Sequence, residues 1–255
     1  MIKDYGKIFG FVVFLIVSTG ILYLSLFTYS EKGKEKIKTI KVTGNSFLSS
    51  ERYMKLTGLD RQQVYNDLNL NIIKRKFEKH PYVANAFVKS DGRGNVDIKI
   101  DEKTIYAVLL KNEKTFFITS EFELLEIQNY TTYSDIPVIS NVSISGKINA
   151  STKLKNNDLT DAFRIIEASK IVGDDFAKKL SEINLKNGGN IVLTFSGVNY
   201  PILFGRGNES KKIVGLNMLW IKYKNLNENL SSTAYIDLRF SNSAYIGSKE
   251  NAGLM

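Results

Sequence analysis

The sequence predicts an α+β protein: a single N-terminal transmembrane helix, a small strand-helix-helix-strand-strand domain, and a C-terminal mixed, mainly antiparallel β domain with flanking helices. Three observations carry this. Residues 8–30 are an uncharged run of 23. Residues 37–103 mix alternating and helical apolar spacing, and beyond Lys103 the alternating, strand-like spacing dominates. The expected divisions are a short tail (1–7), the anchor (8–30), a linker (31–36), the small domain (37–103), the β domain (104–246) and a C-terminal tail (247–255).

As a helix rising 1.5 Å per residue, Ile8–Phe27 spans about 30 Å, the hydrocarbon thickness of a bilayer, so this stretch is expected to lie in membrane lipid. A cleaved signal peptide has a shorter apolar core and a small-x-small cleavage site, whereas bulky Phe27, Thr28 and Tyr29 follow here. A core helix of a soluble protein seldom runs this long without a polar face. Lys3 and Lys7 flank one end and Lys32, Lys34, Lys36 and Lys38 the other, so counting positive charge leaves the orientation open.

In the small domain, Ile37–Val42 reads as a strand ending at a Gly44-Asn45 turn. Ser49 or Ser50 is placed to cap a short helix through Thr57, with Gly58 at its C-terminal position. Leu70, Ile73 and Phe77 share one face of a second helix, which Pro81 stops. Val83–Lys89 and Val96–Ile100 then form strands around Asp91-Gly92-Arg93-Gly94, with Ala84, Ala86 and Val88 expected on one face. In the β domain, Ile105–Leu110 and Thr115–Ile118 flank a turn at Lys111-Asn112-Glu113, and Phe122–Ile127 is a further strand. Helices are expected at Leu159–Ala168, Asp174–Lys179 and Lys211–Tyr223. Ile183–Leu185 and Ile191–Phe195 pair around Asn187-Gly188-Gly189, and Ile202–Phe204 is another strand. Thr233–Phe240 places Ala234, Ile236, Leu238 and Phe240 on one face, and Ala244–Ile246 makes the last strand.

Composition excludes several chemistries. The chain has no cysteine, which removes disulfides, thiolate zinc sites and cysteine nucleophiles. A formal charge of +9 raises nucleic acid or anionic lipid as partners. Most lysines are nevertheless interspersed with Asp, Glu and Asn, and the densest cluster (Lys74, Arg75, Lys76, Lys79) reads as the solvated face of a helix, within reach of lipid headgroups; no nucleic-acid partner is expected. His80, the only histidine, precedes Pro81 at a helix stop and reads as a helix-end or surface residue. Asp174 and Asp175 read as helix caps, and Gly205-Arg206-Gly207 as a turn lacking any phosphate-loop spacing. No catalytic, cofactor-binding or metal-binding residue is assigned.

IKTIKVTGNSFLSSERYMKLTGL (Ile37–Leu59) and FEKHPYVANAFVKSDGRGNVDIKIDEKTIYAVL (Phe77–Leu109) resemble the polypeptide-transport-associated (POTRA) domain of the FtsQ/DivIB family of bacterial cell-division proteins. DIPVIS (Asp135–Ser140), Phe176–Gly207, KKIVGLNMLW (Lys211–Trp220) and YIDLRF (Tyr235–Phe240) continue the likeness in family order behind a single anchor. The segment Phe117–Phe122 departs from it, lacking the Asp and Gly of the family's turn. The resemblance implies a non-enzymatic scaffold of the division complex at the cytoplasmic (inner) membrane, with residues 1–7 in the cytoplasm and the large domain outside, periplasmic if the organism has an outer membrane. It implies FtsB-like and FtsL-like partners; a weak homodimer through the anchor stays open.

Family members take the FtsB-like partner by strand addition at the C-terminal edge, a mode that uses the unpaired backbone groups of an edge strand. Carried over, Arg239 would meet a partner carboxylate, Phe240 would be either an apolar anchor or a core residue, and Ala244 and Ile246 would belong to the template strand. Tyr245 is added as an aromatic interface residue. Two other readings stand beside this one: a POTRA-bearing accessory of outer-membrane assembly or secretion, and a membrane-anchored enzyme.

Overall fold

An apolar segment without a polar face folds as one helix, α1 (Tyr5–Ser30), in the computed structural model, which describes residues 5–30, 37–61, 63, 65, 68–111, 114–144, 151–222, 232–240 and 243–249. Gly6–Ser25 is long and apolar enough to cross a bilayer, and none of that window is buried against protein. A core helix would hide its apolar side, so this one suits a lipid surround. Its mid-span hydroxyls are satisfied within the helix: Ser18 Oγ donates to Phe14 O (2.8 Å) and Thr19 Oγ1 to Leu15 O (2.7 Å).

The chain divides into two units. The first comprises Met1–Gly44, Ser50–Lys79 and Asn85–Ile100, and the second Asn45–Ser49, His80–Ala84 and Asp101–Met255. After α1 the elements run β1 (Thr39–Thr43), α2 (Ser50–Leu56), α3 (Leu70–Glu78), β2 (Val83–Ser90) and β3 (Asn95–Glu102). The strands form a sheet of order β1-β3-β2, with β1 parallel to β3.

Each of these elements has a local cause. Asn69 caps α3, its Oδ1 accepting the Ile72 N–H at 2.9 Å. Ile73 and Phe77 of α3, Tyr53 of α2 and Val96, Ile98 and Ile100 of β3 are buried together with Val42 of β1. At about 1.5–3 kcal/mol per large apolar side chain, these contacts stabilise the unit. Gly44 turns at φ +83, and a Cβ there would sit 2.3 Å from Ile100 O, so only glycine fits. In β2 strict alternation starts at Ala86. Ala84 is exposed, contrary to the period-2 expectation, because the Pro81-Tyr82 turn, closed by Val83 N–H on His80 O, sets the first residues of the strand.

The second unit continues as β4 (Ile105–Lys111), β5 (Lys114–Thr119), β6 (Leu124–Glu126), β7 (Val138–Ser140), α4 (Asn157–Val172), α5 (Asp174–Lys179), β8 (Leu180–Asn184), β9 (Val192–Phe195), β10 (Ile202–Leu203), α6 (Glu209–Lys222), β11 (Thr233–Asp237) and β12 (Tyr245–Ser248). One nine-stranded sheet results, in the order β12-β11-β10-β9-β8-β7-β4-β5-β6. Antiparallel pairs are the majority; β4–β7, β7–β8 and β10–β11 are parallel, the last two because α4 with α5, and α6, make the return crossings. Leu159, Phe163 and Ile166 of α4 and Ile213 and Leu216 of α6 pack on Ile139, Ile183, Leu193, Ile202 and Ile236 of the sheet.

Several expectations change here. Phe122 is no strand residue. It takes φ +61 in a turn closed by its N–H on Thr119 O, and Thr119 Oγ1 accepts the N–H groups of Glu121 and Glu123. Stacking on Phe163 at 4.3 Å holds that conformation. Asp174 and Asp175 lie in the first turn of α5 without a side-chain cap bond. His80 is buried rather than on the surface: its Nδ1 accepts the Tyr82 N–H at 3.2 Å, and burial lowers its pKa to about 4. The expected turn residues 112–113, and Tyr223, lie outside the described residues.

Candidate partner-binding edge

Edge strands offer unpaired N–H and C=O groups, and proteins cover the edges they do not use. The β6 end of the large sheet is covered: Leu124 N–H donates to Thr152 O (3.0 Å), Ser151 N–H to Leu124 O (2.7 Å) and Leu154 N–H to Phe122 O (2.8 Å). At the other end β12 pairs with β11 alone among the described strands. Alternate backbone groups of an outermost strand point away from its sheet.

β11 is fixed from below by its parallel neighbour, with Ile236 N–H on Pro201 O (3.2 Å) and Leu238 N–H on Leu203 O (2.9 Å). β12 runs antiparallel to it, Ile236 opposite Ile246 and Asp237 opposite Tyr245, with a bulge near Ala234. The Tyr235 ring lies against Gly247, where a Cβ would come within 2.5 Å of two ring atoms. Glycine at 247 is therefore a packing requirement, and Lys249 N–H on Ser232 O (2.9 Å) closes the hairpin.

The chain leaves the strand geometry after Asp237, which moves Phe240 off the apolar face expected for it. Leu238 is buried, whereas Phe240 is 54% exposed and stands edge-on to Tyr245 at 5.1 Å. Tyr245 and Ile246 are exposed as well, and Ala244 lies beside them on the surface. Arg239 folds back on Asp237: Nε donates to Oδ1 (2.9 Å) and Oδ2 (3.0 Å), and Nη2 to Oδ2 (2.6 Å). Its stem lies over Gly205. The Arg239 guanidinium holds the buried Asp237 carboxyl below the ordinary carboxylate range, against the opposing effect of burial.

A groove of about 730 Å³ runs beside this edge, between α6 and residues 238–240 with 243–244. Lys211, Gly215 and Leu219 of α6 form one wall, and Leu238, Phe240 and Ala244 the other. Arg206 closes one end. Its Nη2 donates to Asp158 Oδ1 (2.8 Å), its Nη1 to Asp161 Oδ2 (2.9 Å) and its Nε to Gly189 O (2.8 Å), pinning the loop before α6 to α4. Lys212 Nζ donates to Phe204 O (2.9 Å) and Arg206 O (3.2 Å), and burial lowers its pKa. Beside the groove, α6 exposes Val214, Met218 and Ile221, an apolar stripe at helical spacing.

The five residues singled out from sequence, Arg239, Phe240, Ala244, Tyr245 and Ile246, thus lie along one edge. Sequence reasoning missed Arg206, dismissed as a turn, the Tyr235–Gly247 contact, and the outer stripe of α6. A glycine within the last strand pattern was the available signal for the second of these. Among the described residues no group of three His, Asp or Glu side chains is placed to hold a metal.

Residues 35–103 match a family described as "POTRA domain, FtsQ-type". The cell division protein FtsQ of Geotalea daltonii (strain FRC-32) is 23% identical over 206 residues, covering 81% of this chain and 73% of that protein. An FtsQ-type POTRA domain, an apolar N-terminal helix and a likeness to FtsQ that reaches beyond the POTRA residues together make this chain similar to the FtsQ/DivIB family of bacterial cell-division proteins.

Proposed function

We propose that this chain is a non-enzymatic, single-pass scaffold of the bacterial division complex, and that it takes up an FtsB-like partner, with an FtsL-like protein in the same assembly, by strand addition along β12. In this reading residues 1–7 lie in the cytoplasm and the folded body lies outside the cytoplasmic membrane. The observation that carries the proposal is the contrast between the two ends of the large sheet: β6 is covered by residues 151–154, while β12 borders exposed Phe240, Tyr245 and Ile246 and a groove.

A backbone hydrogen bond adds only about 0.5–1.5 kcal/mol net, so a four-residue template binds weakly without side-chain anchors. Phe240 and Tyr245 supply apolar area, and the groove walls favour a segment that combines apolar and acidic side chains, since Arg206, Lys211, Lys212 and Arg239 line it. Arg239 would share its five donors between Asp237 and a partner carboxylate. Hydrogen exchange on the full-length protein in nanodiscs, with and without the ectodomain of the FtsB-like protein from the same organism, tests the reading. Protection concentrated on the amides of residues 243–249 is expected. Protection elsewhere with none on β12 would refute it.

A further inference from the structure

The end of the first unit nearest the anchor carries a basic face of its own. α1 ends at Ser30 and the first described residue of the body is Ile37. Seven residues reach at most about 25 Å, so the body is held close to the bilayer surface whichever way the anchor points. That end of the body is identified by hydrogen bonds: the N–H groups of Lys38 and Thr39 both donate to Gly94 O, at 2.8 and 3.3 Å, and Thr39 is in register with Asn95. The start of β1 therefore lies beside the β2–β3 turn.

Lys38, Lys89 and Arg93 are exposed at this tip. Asp91, the acidic residue of the turn, stays ionised but turns its oxygens onto the turn's own N–H groups, so three cations stand against one carboxylate at this tip. Its Oδ1 accepts the N–H groups of Arg93 (2.8 Å) and Asn95 (3.0 Å), and its Oδ2 accepts the Asn95 side-chain amide (2.5 Å). Asp97, the next acidic residue, faces Lys41 across the β1–β3 pair. The denser cluster on α3 is worse placed. α3 leads through Pro81 into the first residue of β2, which is about 25 Å of strand away from the turn. Lys74 also pairs with Glu78 (3.6 Å), and Lys76 Nζ donates to Thr57 O (3.2 Å).

We propose that the tip formed by Lys38, Lys89 and Arg93 rests on anionic phospholipid headgroups and holds the first unit down on the bilayer. Attraction of basic groups to an anionic surface acts within a Debye length of about 8–10 Å, and the short tether keeps this tip where it can come within that range. Tethering also removes most of the association cost, so three cations suffice where a free protein would need more.

The absence of cysteine makes the test direct. Full-length protein carrying Lys99→Cys, labelled with a fluorescent donor, is reconstituted in nanodiscs with acceptor-labelled lipids. One set is pure phosphatidylcholine, and the other contains about one-third phosphatidylglycerol, enough to build a negative surface potential. Energy transfer is expected to be higher in the anionic set. It should fall to the neutral level in about 0.5 M salt and in the variant Lys38→Glu, Lys89→Glu, Arg93→Glu, a loss on the order of 100-fold in the docked-to-free ratio. The neutral variant with Gln at the same three positions should show the same loss at an unchanged melting temperature, which separates charge from folding. Equal transfer in the two lipid sets overturns the proposal. So does an anionic-lipid effect that survives the triple substitutions, since it assigns the attraction to residues 31–36.

Discussion

Replacing Gly247 with Ala puts a methyl group 2.5 Å from Cε1 and Cζ of Tyr235 and 2.9 Å from its Cδ1. Carbon atoms pack favourably at about 3.5–4.0 Å, so either the ring moves by about 1 Å or the strands part. Overpacking of this kind costs about 1–3 kcal/mol. β12 is an edge strand held by one neighbour, and detaching it is the cheaper relief. At about 2 kcal/mol the amides of Tyr245–Ser248 should exchange roughly 30-fold faster, with those of β8 and β9 unchanged. Binding of the FtsB-like partner should weaken in parallel, because its template strand is less populated. Adding Tyr235→Ala removes the obstructing ring, so the double variant should recover most of the β12 protection relative to Tyr235→Ala alone. Equal acceleration by Gly247→Ala in both backgrounds would refute the clash, and no acceleration at all would refute the close approach.

Phe240→Asp should leave the melting temperature within about 2 °C, since an exposed side chain away from packing features changes stability by about 0.5 kcal/mol or less, while lowering affinity for the FtsB-like partner more than about tenfold; lost folding would return Phe240 to the core. Arg206→Ala strands the buried Asp158 and partly buried Asp161 carboxylates and should destabilise by about 2–4 kcal/mol in denaturant titration. Lysine should rescue it poorly, because one ammonium cannot span both carboxylates and Gly189 O. Below neutral pH the second unit should lose stability through His80, which binds a proton with its ordinary pKa of 6.5 when unfolded and only near pH 4 when folded. The unfolded state therefore takes up the proton first, and stability should fall by about 3 kcal/mol between pH 6.5 and 4; a His80→Asn variant should lack that component of the slope. A cysteine placed at exposed Tyr130 should react with a membrane-impermeant maleimide on intact spheroplasts, and reaction only after lysis would reverse the proposed topology.

Local order in the small domain was readable because its signals are short-range. Asn69, Pro81, Gly44 and the Asp91-to-Gly94 turn each act on their own neighbours, and the i, i+3, i+7 spacing of Leu70, Ile73 and Phe77 gives a helix face without further context. Where the period-2 reading failed, a side-chain contact or a tight turn had overridden strand geometry, distant for Phe122 and local for Phe240 and Ala84. Phe122 is drawn out of strand geometry by Phe163, and Phe240 leaves its predicted face because Arg239 turns back to Asp237. Arg239, Phe240, Ala244 and Ile246 came from family likeness and Tyr245 from its aromatic character; strand alternation by itself would have buried Phe240.

By itself the sequence determined the anchor, since an uncharged run of bilayer length needs no tertiary partner to define its solvent, and it determined the element types wherever capping, proline and spacing agreed. Only the tertiary structure decided which sheet edge has no further strand beside it among the described residues. That depends on residues 151–154 crossing to β6, on α6 returning the chain to set β11 beside β10, and on Tyr235 seating Gly247. Such contacts join residues far apart in the chain, and the spacing along one strand carries no record of what lies beside it.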